Sequence, residues 1–322
     1  MRKLTAVLAG VTVAGFAWAA SAATWDMPTP YGETNFHTVN IKQFAADVKA
    51  ATGGALEIKV HSGGSLFKHP DIKNAVRGGQ VPIGEFLLSR LSNESPVFGI
   101  DGIPFLASTY ADARKLWSAA RPATEKLLDK QGLIVLYAVP WPGQDLYAKK
   151  AINSVADLKG MKFRAYNAAT ERVAQLAGAI PTQIELADIA QAFATGRVES
   201  VITSPSTGAN HKFWDFLSHH YKIQGWMPKN VVVVNKKAFR RLDKKSQAAV
   251  LAAAKSAEVR GWAASATETS TKIAILKKNG MKSVDPSGAL VSGLKKIGKT
   301  MTAEWAKAAG ADGAAILKAY RN

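Results

Sequence analysis

Residues 161–202, MKFRAYNAATERVAQLAGAIPTQIELADIAQAFATGRVESVI, decide the fold of this chain. The apolar residues first alternate, as in a strand, and then recur at helical spacing up to Gly178. A short strand over residues 182–186, a helix that ends at Gly196 and a strand over residues 198–202 follow. This β-α-β-α-β order predicts an α/β fold with a parallel sheet and helices on both faces.

The same alternation of strands and helices extends over the rest of the chain. A chain of 322 residues is about twice the usual length of one domain, so two domains are expected. The additional predicted elements are a helix over 39–51 and strands over 56–60, 133–139 and 231–234.

A long helix is predicted over residues 243–278, which contain no Pro and only Gly261 as a helix breaker. Such a helix is about 45 Å long, longer than one small domain, and we expect it to run from one domain to the other. We predict domain I to comprise residues 23–140 and 228–262, and domain II residues 141–227 and 263–322.

The N-terminus has the organisation of a secretory signal peptide. Arg2 and Lys3 precede an uncharged, mostly apolar stretch over residues 4–19, and Ala20-Ser21-Ala22 is a signal-peptidase site. A membrane anchor or a buried helix is the alternative, but the stretch is shorter than the roughly 20 residues that span a bilayer. We therefore expect residues 1–22 to be removed and the mature protein to be periplasmic.

Composition excludes several classes of protein. The chain is 47% hydrophobic and 20% charged, which excludes a disordered protein, and it has no cysteine for disulfides, thiolate metal sites or nucleophilic catalysis. The net charge of +18 favours anionic partners. The lysines are scattered over several segments and form no basic stripe with aromatic residues, so nucleic acid is not expected.

Two features that resemble chemical motifs are interpreted structurally. Residues 293–300, GLKKIGKT, match the phosphate-loop pattern, but apolar residues at helical spacing run through them and no strand precedes them. His211, His219 and His220 flank a predicted amphipathic helix over 213–217 and are expected to be surface or cap residues. We expect no cofactor, no metal ion and no enzymatic activity.

The strongest signal for a binding site lies in residues 151–167, AINSVADLKGMKFRAYN. The predicted strand places Arg164 at its carboxyl end and Asn167 just beyond it, at the edge where open α/β sheets bind ligands. A guanidinium group fits a carboxylate through two parallel hydrogen bonds. From the spacing alone, an ordinary surface arginine in a salt bridge is the alternative.

At this point the chain resembles the solute-binding proteins of tripartite ATP-independent periplasmic (TRAP) transporters, of the dicarboxylate-binding type. Residues 156–167 match the family pattern of Ala-Asp, Leu, Lys-Gly and Lys followed by Arg164 and Asn167. Further matches lie in residues 44–66, 178–199 and 231–242, so the resemblance covers nearly all of the mature chain.

The resemblance implies a periplasmic-binding-protein-like fold, with two α/β domains, a hinge and a long helix that spans both domains. It implies a protein that captures a small organic acid and delivers it to the membrane subunits of a TRAP transporter. Arg164 corresponds to the arginine that binds the ligand carboxylate, and Asn167 to a neighbouring polar contact. A partner protein that presents its ligand to a periplasmic sensor is the alternative, and a secreted enzyme is the third hypothesis. A monomer is expected.

Three departures from the family pattern bear on the ligand. Gln144 stands where sialic-acid-binding members have a second arginine, Thr203-Ser204 replace an Asn-Pro pair, and Leu186 replaces a phenylalanine that often stacks on the ligand. These changes argue against sialic acid, leave dicarboxylates open and favour a monocarboxylate. Its body is expected to pack against aromatic residues, for which the candidates are Phe36, Phe86 and Trp141.

Overall fold

The structure is a computed structural model that describes residues 23–322, so the predicted signal peptide lies outside the described residues. The elements are β1 (Ala23–Pro28), α1 (Phe36–Ala51), β2 (Leu56–His61), α2 (His69–Gly78), β3 (Ile83–Leu87), α3 (Tyr110–Asp129), β4 (Leu133–Pro140), β5 (Asp145–Ala148), β6 (Lys162–Ala165), α4 (Ala168–Leu176), β7 (Ile180–Gln183), α5 (Ile189–Ala194), β8 (Ser200–Thr203), α6 (Pro205–Asn210), β9 (His219–Tyr221), β10 (Lys229–Asn235), α7 (Lys236–Arg241), α8 (Lys244–Lys278), β11 (Lys282–Val284) and α9 (Gly288–Arg321). The α/β fold class is confirmed.

The strands form three sheets in two groups. In one group β1 pairs with β2, and β10 lies between β3 and β4. The other group is one sheet of order β11-β9-β5-β8-β6-β7. We call these groups domain I and domain II; the residue limits given above for the two domains stay a prediction.

The predicted parallel arrangement is correct only for part of the molecule. In domain II β6 is parallel to both β7 and β8, as the β-α-β-α-β stretch predicts. However, β5 is antiparallel to β8 and β9, so the sheet of domain II is mixed. In domain I, β10 is antiparallel to both of its neighbours, β3 and β4, so that sheet is antiparallel. The physical reason is that β5 and β10 each follow a crossing from the other domain and enter their sheet in the opposite direction.

The chain crosses between the domains at residues 141–144 and 222–228, and these two crossings are hydrogen-bonded to each other. The backbone N–H of Trp141 donates to the carbonyl of Pro228 at 2.8 Å, and that of Gln144 to Trp226 at 2.9 Å. The N–H of Gly225 donates back to the carbonyl of Gln144 at 2.9 Å. We call this paired segment the hinge segment.

The long helix α8 is a third connection, and its predicted span is confirmed. It packs on α1 and β4 in domain I and on α6 and β11 in domain II. At Gly261 the helix approaches β4 so closely that a Cβ atom would lie 2.4 Å from a methyl carbon of Val139. The next residue, Trp262, donates its indole N–H to the carbonyl of Ala138 at 2.9 Å, which fixes the helix on the sheet.

Two predicted elements differ from the structure, and the prediction for residues 293–300 agrees with it. Strand β7 begins at Ile180, two residues before the predicted start, and residues 213–217 contain only a short 3-10 turn, Phe213–Asp215, instead of an amphipathic helix. The phosphate-loop look-alike lies inside α9, as predicted. A Cβ on Gly298 would lie 2.0 Å from the carbonyl oxygen of Pro104, so this glycine permits close packing.

Within residues 23–322, no helix is both long and apolar enough to cross a membrane.

Candidate functional site

A cavity lies where domain I, domain II and the hinge segment meet, and we call it the interdomain cavity. It encloses about 440 Å³ of empty space, part of which is open to solvent. Its lining residues are Tyr31, His69, Leu87, Arg90, Trp141, Gln144, Arg164, Tyr166, Glu185, Leu186, Thr203, Ser204, Thr207 and Pro228.

Arg164 is a buried cation on the domain II side of this cavity. It lies on β6 and is only 3% exposed. Its Nε donates to the carbonyl of Ile184 at 3.0 Å, and its guanidinium carbon lies 4.9 Å from the centre of the Tyr166 ring. Burial lowers its pKa to about 10, so the group still carries its charge at neutral pH. Within residues 23–322, no carboxylate lies within salt-bridge distance of Arg164, which leaves its terminal nitrogens available for a ligand.

A second arginine, Arg90, is already neutralised. It comes from the turn after β3 in domain I, and its Nη2 lies 2.6 Å from Oε1 of Glu185 in domain II. Its Nη1 donates to the carbonyl of Tyr166 at 2.9 Å. Because Arg90 and Glu185 cancel, the three charged side chains of the cavity sum to one positive charge, which resides on Arg164.

His69, the first residue of α2, contributes a neutral donor. Its Nε2 accepts the backbone N–H of Leu87 at 3.1 Å, which assigns the proton of the neutral ring to Nδ1. Burial, followed by the positive charges of Arg90 and Arg164, lowers the pKa of His69 well below its ordinary value. The ring therefore offers an N–H and no charge at neutral pH.

An aromatic wall closes the cavity on the domain I side. Tyr31 follows β1 and Trp141 follows β4, and their rings pack edge to face with centres 5.0 Å apart. Tyr166 lines the cavity from domain II and donates its hydroxyl to Oε1 of Gln144 at 3.1 Å. The amide nitrogen of Gln144 donates to the carbonyl of Pro142 at 2.9 Å. Both polar ends of Gln144 thus have protein partners.

Two hydroxyl side chains, Thr203 and Ser204, lie where β8 ends. Ser204 is the N-cap of α6, and its Oγ accepts the backbone N–H of Thr207 and also donates to the Thr207 hydroxyl, both at 3.1 Å. Thr203, at the end of β8, is 4% exposed and lines the cavity.

The cavity brings together five of the eight residues that the sequence singles out, namely Trp141, Gln144, Arg164, Thr203 and Ser204. The structure places the other three elsewhere.

Asn167 caps α4, and its Nδ2 donates to Ser89 across the domains at 2.9 Å. Phe36 lies behind the aromatic wall, edge to face with Trp141 at 5.5 Å, and Phe86 is a 2% exposed core residue of domain I. These three side chains are used in capping and packing and do not line the cavity.

The sequence reasoning missed six polar or aromatic residues of the cavity: Tyr31, His69, Arg90, Tyr166, Glu185 and Thr207. A usable signal existed for four of them, because each follows the carboxyl end of a strand: Tyr31 after β1, Arg90 after β3, Tyr166 after β6 and Glu185 after β7. Ligands of α/β sheets bind beyond the carboxyl ends of the strands. The same rule that identified Arg164 would have identified these residues.

The histidine cluster differs from the expectation. His220 is fully buried, and its Nε2 lies 2.9 Å from Oδ2 of Asp145, while its Nδ1 lies 2.8 Å from the hydroxyl of Ser283. The prediction of a surface or cap position is therefore wrong for His220, because the buried Asp145 requires a partner. None of the three histidines of this cluster, His211, His219 and His220, lines the interdomain cavity. Among residues 23–322 no group of three or more potential ligands is placed to hold a metal ion.

Comparisons with known proteins give a consistent result. The family model described as bacterial extracellular solute-binding protein, family 7, matches residues 30–308. An extracytoplasmic solute receptor of Bordetella pertussis that binds pyroglutamic acid is 45% identical, with a TM-score of 0.92, over 93% of this chain and 99% of that chain. A pyroglutamate-specific TRAP solute-binding protein from a marine metagenome is also 45% identical, with a TM-score of 0.91 and the same coverage. A curated solute-binding protein of Albidiferax ferrireducens is 23% identical over 272 residues, 83% of this chain and 80% of the relative.

Proposed function

Because this chain belongs to the bacterial extracellular solute-binding proteins of family 7, it is a receptor for a small carboxylate, and we propose that its ligand is pyroglutamate. Pyroglutamate is a five-membered lactam ring that carries one carboxylate. Relatives of 45% identity that bind this compound support the assignment. The interdomain cavity supports it independently through its charge and its hydrogen-bonding groups.

The observation that carries the proposal is the charge balance of the cavity. Arg90 and Glu185 neutralise each other, and only the charge of Arg164 is left for the ligand. A buried cation without a partner is unfavourable, and a ligand carboxylate with two parallel hydrogen bonds to the guanidinium group compensates it. A second carboxylate on the ligand would have no cation and would lie near Glu185. The cavity is therefore suited to a monocarboxylate.

The remaining polar groups complement a lactam. Glu185 uses one oxygen for Arg90, and its other oxygen can accept the ring N–H of the ligand. The Nδ1–H of His69 and the hydroxyl of Thr203 are donors for the ring carbonyl. The aromatic wall of Tyr31 and Trp141 packs against the carbon atoms of the ring.

Closure of the two domains retains the ligand and prepares it for delivery. Only the closed arrangement contacts the ligand from both domains, so binding shifts the population toward that arrangement. We propose that the hinge segment at residues 141–144 and 222–228 allows this motion and that the closed receptor docks on the membrane subunits of a TRAP transporter. In this role the mature protein works in the periplasm and begins near Ala23.

The proposal is tested by calorimetry with four compounds on protein purified without refolding, after mass spectrometry of any ligand that it releases. We expect pyroglutamate to bind at least about 30-fold more tightly than cyclopentanecarboxylate, which has the carboxylate and ring size but no lactam. We expect no measurable binding of 2-pyrrolidone, which has the lactam but no carboxylate, and weak binding of succinate. Tighter binding of succinate than of pyroglutamate would overturn the proposal.

A further inference from the structure

The two rings of the aromatic wall direct their polar atoms away from the cavity. The hydroxyl of Tyr31 donates to Oδ1 of Asn230 at 3.1 Å, and the indole N–H of Trp141 donates to the same oxygen at 3.0 Å. Asn230 lies on β10, is 1% exposed and does not line the cavity. One buried amide oxygen thus accepts both donors that the wall possesses.

The orientation of the Asn230 amide is fixed from behind. Its Nδ2 donates to Oε1 of Glu85 at 3.0 Å, and Thr29 donates to the other oxygen of Glu85 at 2.6 Å. Nδ1 of His37 lies 3.3 Å from Oε1 of Glu85. A flipped amide would turn its NH₂ group toward two donors and its oxygen toward a carboxylate, so only one orientation satisfies the network.

The wall residues also keep their protons. Burial and then the negative charge of Glu85 raise the pKa of Tyr31 well above its ordinary value. The hydroxyl therefore stays a donor throughout the physiological range, and an indole N–H is a donor at all times. The side of these two rings that faces the ligand presents only carbon.

Other side chains that line the cavity are polar. Arg164 uses its Nε for Ile184 and has two further nitrogens, Glu185 uses one oxygen for Arg90 and has a second, and Thr203 brings a hydroxyl to the lining. The cavity thus has polar groups from domain II and from His69 and Arg90 of domain I, and an apolar surface formed by the rings of Tyr31 and Trp141. A ligand hydroxyl that faces the apolar surface would give up its bonds to water and gain none.

We propose that Asn230 is a positioning residue that determines specificity: it withdraws the donors of Tyr31 and Trp141 and so excludes organic acids with hydroxyl groups on the face that meets the aromatic wall. The inference rests on the proposed function only in taking the ligand to be a small carboxylate. One misplaced hydroxyl is expected to weaken binding about tenfold or more. The residue acts through the wall and does not touch the ligand.

The test is the affinity ratio between matched acids that differ by one hydroxyl. We would measure dissociation constants by calorimetry for pyroglutamate and both epimers of 4-hydroxypyroglutamate. Cyclopentanecarboxylate and the 3-hydroxy epimers form a second pair without the lactam. For the wild type, at least one epimer of each pair is expected to bind about tenfold more weakly than the parent acid.

Two variants separate positioning from direct contact and from a merely structural role. Asn230→Ala frees both donors. We therefore expect the affinity for the hydroxylated acid, divided by that for the parent acid, to rise by at least about fivefold. Tyr31→Phe removes a hydroxyl that faces Asn230, and we expect the hydroxylated-to-parent affinity ratio, whatever the affinity of the parent acids, to stay within about threefold of the wild-type ratio. Tyr110→Phe is the matched control, because its hydroxyl is bonded to Ser265 and Thr269 away from the cavity.

Each outcome has a distinct meaning. Equal losses for parent and hydroxylated acids in Asn230→Ala, with an unchanged ratio, would show a structural role only and overturn the proposal. A tenfold change of the hydroxylated-to-parent ratio in Tyr31→Phe would mean that the hydroxyl already contacts the ligand in the wild type, and would overturn the proposal as well. Because Tyr31→Phe deletes a single atom, it remains informative if Asn230→Ala does not fold. Failure of the wild type to bind pyroglutamate contradicts the proposed function alone, since the second pair still tests Asn230.

Discussion

Arg90 of domain I and Glu185 of domain II form an ion pair of 2.6 Å at the rim of the interdomain cavity. Arg90 also donates to the backbone carbonyl of Tyr166 in domain II. The side chains of Arg90 and Glu185 are 16% and 34% exposed, so the pair is partly shielded from solvent. The ion pair joins the two domains beside the site, and in it the positive charge of Arg90 neutralises the negative charge of Glu185. Two properties follow, one for closure and one for selectivity.

The first prediction concerns closure. Arg90→Ala removes the contact between the domains and leaves Glu185 without its cation, so the closed arrangement is less favoured and the ligand carboxylate meets a net charge of zero. We expect pyroglutamate to bind about tenfold more weakly or worse. In small-angle scattering, more ligand should be needed to reach the compact form.

The matched control for closure is Arg172→Ala. Arg172 pairs with Glu304 at the same distance, 2.6 Å, but on the exposed surface between α4 and α9. We expect this variant to bind and close like the wild type, because exposed ion pairs contribute little. Equal affinities of Arg90→Ala and Arg172→Ala would contradict the role given to the ion pair.

The second prediction concerns selectivity between monocarboxylates and dicarboxylates. Glu185→Gln removes the negative charge and releases Arg90, so the cavity gains a second available cation. We expect the affinity for succinate, relative to that for pyroglutamate, to rise by about tenfold. Competition calorimetry with the two acids measures the ratio, and Glu304→Gln is the control. An unchanged ratio would mean that Glu185 does not exclude the second carboxylate.

The third prediction concerns pH. Burial holds the pKa of Arg164 at about 10 and that of His211 at about 4, and the pKa of His69 lies well below its ordinary value. The cation is thus present below about pH 10 and lost above it, while both histidines stay neutral near neutrality. We expect a constant affinity from about pH 6 to about pH 9 and then a loss that approaches tenfold per pH unit. A tenfold loss between about pH 6 and about pH 8 would instead identify a charged histidine as the partner of the ligand.

The fourth prediction concerns stability. His220→Phe leaves Asp145 buried without its partner, and burial already raises the pKa of that carboxyl. We expect the free energy of unfolding to fall by about 3–5 kcal/mol in urea titrations. His219→Phe, a change at the adjacent and partly exposed histidine, should cost less than about 1 kcal/mol. Similar costs for the two variants would show that the buried pair is not what stabilises this region.

Sequence reasoning was most successful where the determining interactions are local. The alternation in residues 161–166 and the helical spacing that follows were enough to predict β6, α4 and the position of Arg164 at a sheet edge. Asn167 carried a local signal as well, because an asparagine three residues before Thr170 is typical of a helix N-cap.

The parts that the sequence could not predict depend on distant contacts. Every residue of β3 is buried, so its sequence lacks the alternation of buried and exposed residues that assigns side chains to the two faces of a strand. Phe86 faces the core, whereas Glu85 faces a polar network behind the cavity. Asn230 is the second residue of β10, next to an ordinary apolar run, and its partner Tyr31 is 199 positions away in the sequence. Nothing in either segment alone indicates that one accepts a hydrogen bond from the other.

The most direct test of the account is the dissociation constant of Arg164→Ala for pyroglutamate, measured by calorimetry beside the wild type. Arg164 carries the one uncompensated positive charge among the cavity residues, so its removal should weaken binding by roughly 30-fold to several thousand-fold. Arg164→Lys should restore little, because an ammonium group cannot form the two parallel hydrogen bonds. Binding of Arg164→Ala within about threefold of the wild type would contradict the claim that this side chain holds the ligand carboxylate.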